Sequence, residues 1–257
     1  MHRTEPKVFL VGETKVNRSE MDRYLASVGG DDWETDAASD SEYLVEAMGR
    51  LCYRSWKPGL NANVKKVREG NAPYLKNIIA SGHGSVLEHT VSNWIFADVS
   101  RVFTHEMVRH RAGTAFSQES LRYVRLTDLG LWLPPEMQDP QLIELFEVTF
   151  KSLEEIQLKM AEHFKLDDPS GNFAFKKKIT SAMRRLAPIG LSTAIGVSFN
   201  MRALRHVIEM RTAESAETEI RLVFDQVAKV SVGRWPALFQ DFSKNEKGEW
   251  VSGNKKI

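Results

Sequence analysis

RVFTHEMVRHRAGTAFSQESLRY, residues 101–123, is the stretch from which the fold is read. Its first half has a helical period. Arg101, His105 and Arg109 fall four apart and share a face, and Glu106 and His110 share the next. Val102, Phe103, Met107 and Val108 supply the apolar positions. Ser100 can cap this run and Gly113 can end it, so the spacing predicts a helix from Arg101 to about Ala112. Thr90 to Val99, just before it, contains VSNWIFADV and reads as a strand. Residues 114–133 look extended or looped and finish at Pro134-Pro135.

Outward from this stretch, strands and helices continue without a regular βαβ rhythm. Residues 5–12 read as a first strand, and 13–40 as a polar loop with a short helix. Ser41 to Tyr53 reads as a helix whose apolar positions are Tyr43, Leu44, Ala47, Met48 and Leu51. Cys52 is expected to be a packed thiol there, because free cysteines are mostly buried and inert. Another helix opens at Asn71-Ala72-Pro73 and ends before Gly82. A long helix is predicted from about Pro140 to His163, with Leu142, Leu145, Phe146, Val148, Leu153, Ile156 and Met160 as its apolar side. Residues 173–187 form a further helix, stopped by Pro188. Ala194 to Phe199 reads as a strand, and Asn200 caps a helix to about Arg211. A last helix covers about Ala216 to Val232. The fold class is α+β, with helices around a central antiparallel or mixed sheet.

The 257 residues, 42% of them hydrophobic, suffice for one large core or for two lobes sharing one. A net charge of +1 gives no general case for nucleic acid or a membrane surface. Basic residues cluster around 101–125 and 176–185, which points to a local anionic ligand. One cysteine allows no internal disulfide and no cysteine-based zinc site, and suits a reducing cytoplasm. No metal site is expected. Residues 1–30 lack the apolar core of a secretory signal, and no apolar run approaches the ~18 residues that span a bilayer.

Arg109, His110 and Arg111 close the predicted helix. Cations there are favoured by the macrodipole, by about 0.3–1 kcal/mol each. The continuation needs another account. Small and hydrogen-bonding residues, Ala112 to Ser120, lead to Arg122 beside Tyr123. Arginine forks can hold a phosphate, and amides and hydroxyls can meet a ring edge. The chemistry indicated is a phosphate-bearing heterocycle.

These residues resemble the signature of the flavin-dependent thymidylate synthases, in which Arg-His-Arg is followed by a serine and usually by an Arg-Tyr pair. Here the ends are Arg109-His110-Arg111 and Ser120-Leu121-Arg122-Tyr123, with one residue more between them than the signature has. Other pieces follow in family order. His83-Gly84-Ser85-Val86-Leu87-Glu88-His89 looks like the His-x-Ser…Glu-His segment, and Thr104 to Val108 is similar to the substrate-contacting turn, with Glu106 where Gln is frequent. Arg184 before Pro188, Asn200-Met201-Arg202 and Arg211 complete the series. His206 and Ser215 depart from the pattern, standing where Asn and His are common. The resemblance covers about residues 40–240 and implies a single domain over residues 1–257.

The resemblance implies that dUMP receives a one-carbon unit from methylenetetrahydrofolate, with FAD as cofactor and NADPH as reductant, in a homotetramer with sites at subunit interfaces. It assigns Ser85, Arg109, His110, Arg111, Gln118, Asn200, Arg202 and His206 to FAD. Glu106, Arg109, Gln118, Glu119, Ser120, Arg122, Arg184 and Arg211 fall to dUMP, and His83 and Tyr123 to the folate side. Classical thymidylate synthases activate the uracil by adding a cysteine to it. Cys52 has no Pro-Cys context, so activation here is expected to be electrostatic, with Arg211 as the catalytic group against the uracil edge. Ser120 has no evident base and reads as a phosphate contact. The alternative is a related flavin enzyme acting on a modified pyrimidine nucleotide.

Overall fold

Ser192–Asn200 alternates strictly, with Thr193, Ile195, Val197 and Phe199 buried and the residues between them half-buried. That period of two buries one face of the strand. The computed structural model describes residues 1–64, 66–254 and 257. In chain order the elements are β1 (His2–Arg3), β2 (Lys7–Glu13), α1 (Arg18–Val28), α2 (Asp40–Tyr53) and α3 (Asn71–Ala80). A 3-10 turn (Gly84–His89) leads to β3 (Val91–Ser100), α4 (Arg101–Met107), β4 (Thr114–Gln118) and β5 (Gly130–Leu131). Then come α5 (Pro140–His163), α6 (Phe173–Met183), β6 (Ser192–Asn200), α7 (Met201–Thr212), α8 (Thr218–Arg234), β7 (Phe242–Lys244) and β8 (Trp250–Ser252).

The main sheet has the order β2-β3-β6-β4. Its neighbours are antiparallel. Thr14, just past β2, donates to the Val91 carbonyl at 3.0 Å, while Lys7 meets Asp98 at the other end. Arg101 donates to the Leu191 carbonyl at 3.1 Å, and Asn93 reaches Ser198 at 2.7 Å. Asn200 donates to Gly113 at 2.8 Å and Glu119 to Ala194 at 3.0 Å. β1 pairs with β5 in parallel, and β7 with β8 as an antiparallel hairpin.

The chain divides into two compact units. The first holds Met1–Phe9, Ile95–His110 and Phe116–Val197. Its core gathers Leu126, Leu129, Leu131, Leu133, Phe150 and Leu191. The bounds of α5 agree with the sequence reading, but its expected apolar side is largely uncovered. Leu142, Leu145, Phe146, Val148 and Ile156 are exposed, while Phe150, Gln157 and Ala161 are the buried ones. A helix has only one stripe to bury, and here a glutamine lies on it, hydrogen-bonded to the Met183 carbonyl at 3.1 Å.

The second unit holds Leu10–Trp94, Arg111–Ala115 and Ser198–Ile257. Leu25, Trp33, Tyr43, Ala47 and Trp56 form one of its clusters. Leu204, Val207 and Ile208 on α7 and Val223, Phe224 and Val227 on α8 are fully buried. The buried face of α2 is partly ionic: Glu42, Glu46 and Arg50 are inside, with Arg50 donating to Glu46 at 2.8 Å. The apolar stripe therefore marks the inward face only in part: Tyr43 and Ala47 are buried as expected, but beside them lie the charged Glu42, Glu46 and Arg50. Leu51 and Cys52 are exposed, which corrects the expectation of a packed thiol.

A second correction concerns α4. It ends at Met107, five residues before the expected Ala112. After Val108, the Arg109 and His110 amides bond back only three residues, to Glu106 and Met107. Arg109-His110-Arg111 thus forms the turn beyond the helix. Gly113, at φ 70°, then turns the chain into β4.

Candidate active site

In the first unit, Ser100 accepts the Phe103 amide at 3.2 Å and fixes the start of α4. Gln118 donates to the Thr104 hydroxyl at 3.1 Å, which ties β4 to α4. The Glu119 carboxylate accepts the Ala194 amide at 3.1 Å and the Thr193 hydroxyl at 3.4 Å, so it is turned toward β6. The Ser120 hydroxyl accepts the Arg122 amide at 3.3 Å, and Tyr123 and Val124 donate to the Ser120 carbonyl, both at 2.9 Å. This is a tight turn that presents Arg122 and Tyr123 outward. Tyr123 is exposed, and the Lys177 ammonium lies 4.8 Å from its ring centre and draws the phenol below its ordinary range.

Arg101 is the residue of this unit that the sequence reading left unassigned. Its guanidinium donates to the Glu119 carbonyl at 3.2 Å, but its Nε is buried with no hydrogen-bond partner among the described residues. Burial holds Arg101 below the usual arginine range; Glu119 opposes this and the nearby Arg184 adds to it. Two neighbouring guanidiniums with unused donors constitute a place for an anion. Arg109, Arg122 and Arg184 are exposed, and among the described residues none pairs with a carboxylate. The sign that could have found Arg101 was its place on one helix face with His105 and Arg109.

In the second unit, a cleft of about 260 Å³ is lined by Ala112, Gly113, Asn200, Arg202 and His206, with Glu88 at its side. Asn200 caps α7, its side chain accepting the Ala203 amide at 2.8 Å. Its own amide donates to the Gly113 carbonyl. A methyl group on Gly113 would lie 2.5 Å from Asn200 Nδ2, so only glycine lets the two segments meet this closely. Arg202 pairs with Glu88 at 2.6 Å. It also lies over Gly84, where a Cβ would stand 2.8 Å from its Nε.

Arg202 also lines a second cleft, of about 420 Å³, together with Cys52, Tyr53, His83 and Ser85. The structure therefore brings Asn200, Arg202 and His206 together in one cleft, and Ser85 and His83 with Arg202 in the other. Arg111 immediately precedes the Ala112 wall of the first cleft. Arg211, half-buried in the last turn of α7, lines neither. Among the described residues, no group of three or more histidines, cysteines or carboxylates could hold a metal ion.

The fold is shared with solved enzymes. A UMP/dUMP methylase, PolB, from Streptomyces cacaoi bound with 5-Br dUMP superposes with a TM-score of 0.61 at 14% identity, over 93% of this chain and 96% of the other. Thymidylate Synthase X from Helicobacter pylori with FAD and dUMP gives 0.58 at 17% identity, over 92% and 98%. Sequence likeness is closer. The flavin-dependent thymidylate synthase of Mycobacterium marinum is 38% identical over 216 residues, 82% of either chain. That of Corynebacterium diphtheriae is 35% identical over 221 residues, 83% of this chain and 84% of its own. The family described as thymidylate synthase complementing protein matches residues 35–237. The chain belongs to that family.

The first cleft suits the flavin dinucleotide that the family implies. The N-terminus of α7 opens onto it, and a helix N-terminus with a guanidinium beside it favours a pyrophosphate. Gly113 leaves the backbone bare at its wall.

Proposed function

We propose that this chain methylates dUMP to dTMP, with methylenetetrahydrofolate as one-carbon donor, FAD as cofactor and NADPH as reductant. The observation that carries the reading is the cleft of about 260 Å³ where the loop after Arg109-His110-Arg111 meets Asn200, Arg202 and His206. Motifs far apart in the chain converge there in one unit. The relatives of the same length bear the name of this activity, and the Helicobacter pylori protein holds FAD and dUMP. The bound flavin, once reduced, supplies a hydride.

The residues divide the remaining work. Asn200, Arg202 and His206, with Ser85 and Arg109 to Arg111, hold the cofactor. Arg184 and Arg122 take the dUMP phosphate, with Ser120 at its turn. To these we add Arg101, whose Nε has no partner among the described residues and whose charge is felt by Arg184. Glu106, Gln118 and Glu119 line the nucleoside side. Arg211 lies against the uracil edge and stabilises the negative charge that develops on the ring. His83 and Tyr123 serve the folate side. We take residues 1–257 as a single functional domain, working in the cytoplasm as an assembly of four copies. The exposed Leu145 and Val148 of α5, 64% and 59% accessible, support an assembly.

The test is tritium release from C5-labelled dUMP by the purified protein. Release that requires both the folate and NADPH is expected, together with a flavin absorption band that dUMP perturbs. A yellow protein that releases nothing from dUMP would turn the reading to a flavin enzyme of another pyrimidine nucleotide. Labelled UMP is the first alternative to try.

A further inference from the structure

Tyr53, the last residue of α2, is 44% exposed although it is a large aromatic. Its ring stacks on His83, with centroids 5.8 Å apart and planes inclined by 24°. Its hydroxyl lies 3.3 Å from both His83 ring nitrogens. In the imidazole plane, a point equidistant from the two is blocked by the carbon between them. The oxygen therefore sits over the ring face. The contact is a stack with a polar end, and neither N–H nor lone pair is tied up by it.

The backbone around Tyr53 is firmly held. Arg54 adopts φ 46°, a left-handed conformation that side chains larger than hydrogen rarely take. The Arg54 and Ser55 amides close the helix on the Leu51 and Arg50 carbonyls at 3.2 and 3.0 Å. Arg50, buried, donates to the Ser55 carbonyl at 2.8 Å, and Asn61 donates to that of Tyr53 at 2.7 Å. On the other side, Gly82 at φ 73° delivers His83, whose amide bonds to the Ile78 carbonyl at 3.1 Å. Gly82 takes its turn without strain, while a left-handed non-glycine such as Arg54 persists only where its surroundings fix it. Both rings line the cleft of about 420 Å³, with the Ser85 hydroxyl and the Arg202 guanidinium on its wall. Aromatic faces beside a guanidinium recognise a flat heterocycle carrying carboxylates.

We propose that Tyr53 is a positioning residue: it backs the His83 imidazole and fixes its orientation at this cleft, so that the one-carbon donor meets a pre-oriented ring. This rests on the folate-side reading of His83. The experiment compares Tyr53→Ala, Tyr53→Leu and Tyr53→Phe, alone and with His83→Ala, in the flavin-loaded enzyme. Tyr53→Ala is expected to raise KM for methylenetetrahydrofolate about tenfold, the scale of one aromatic pair. KM for dUMP and flavin content stay at wild-type values. Tyr53→Leu fills the space without an aromatic face and behaves as Tyr53→Ala does, while Tyr53→Phe restores KM to within about twofold. In the His83→Ala background, Tyr53→Ala adds nothing further. A wild-type folate KM in both the Ala and the Leu variants overturns the proposal. So does a full second loss in the His83→Ala background, because Tyr53 then acts by another route. No folate-dependent tritium release from the wild-type enzyme is a different failure, and it sinks the function itself.

Discussion

Gly113 has to satisfy two conditions at once. Its φ of 70° turns the chain into β4, and its bare Cα lets the Asn200 amide lie across it. Gly113→Ala should cost about 1–2 kcal/mol of stability from the left-handed backbone alone. It should also weaken flavin retention, measured as the dissociation constant of FAD. Asn200→Ser keeps the cap of α7 but shortens the side chain. If the clash is with Asn200, Gly113→Ala should cost less affinity in that background, and equal costs would leave backbone strain as the sole cause. Arg211→Ala, at saturating substrates, should lower turnover by roughly 10²-fold, the range for one electrostatic donor. Near-normal turnover would end the electrostatic account. Asp225 offers a check outside the clefts. Burial raises its pKa, but hydrogen bonds from Lys229, Lys244 and Trp250 outweigh this and bring it to about 2. A carboxyl depressed on folding stabilises above its unfolded pKa, and that stability is lost as pH falls from the usual carboxylate range toward 2. Its share is ~2 kcal/mol. Acid denaturation of Asp225→Asn should lack that portion of the pH dependence.

At the level of elements, caps govern where helices start. Ser100 accepts the Phe103 amide, so Ser100→Ala should cost about 1 kcal/mol, read from denaturant melting. Starts and stops of this kind were legible in the sequence. Asn200 before Met201, and Pro73 with Gly82 around α3, act as the sequence predicts. The end of α4 was not legible, because it depends on Gly113 and on the pairing of β4 with a strand far along the chain. Pairing of that range leaves no local periodicity. The inward face of α2 was legible only in part, through Tyr43 and Ala47. Hydropathy marks Leu51 as a core residue, yet Glu46 and Arg50 are inside because each satisfies the other. The candidate site divided in the same way. Motif order gave Asn200, Arg202 and His206, which the fold gathers in one cleft. It did not single out Arg101, whose significance lies in a buried Nε and in the nearness of Arg184.

For the molecule as a whole, α5 presents an exposed apolar side, with Leu145 and Val148 its most accessible positions. Leu145→Glu with Val148→Glu should shift the particle toward the 29.2 kDa of one chain, read by sedimentation. If the wild type already sediments at that mass, α5 is not an assembly face. Arg202 has a different reach. One guanidinium walls both clefts, held by Glu88 and laid over Gly84. A ligand that draws it to one side redraws the boundary of the other. The two occupancies are then thermodynamically linked, and the linkage is reciprocal: the factor by which the first ligand changes affinity for the second is the factor the second returns.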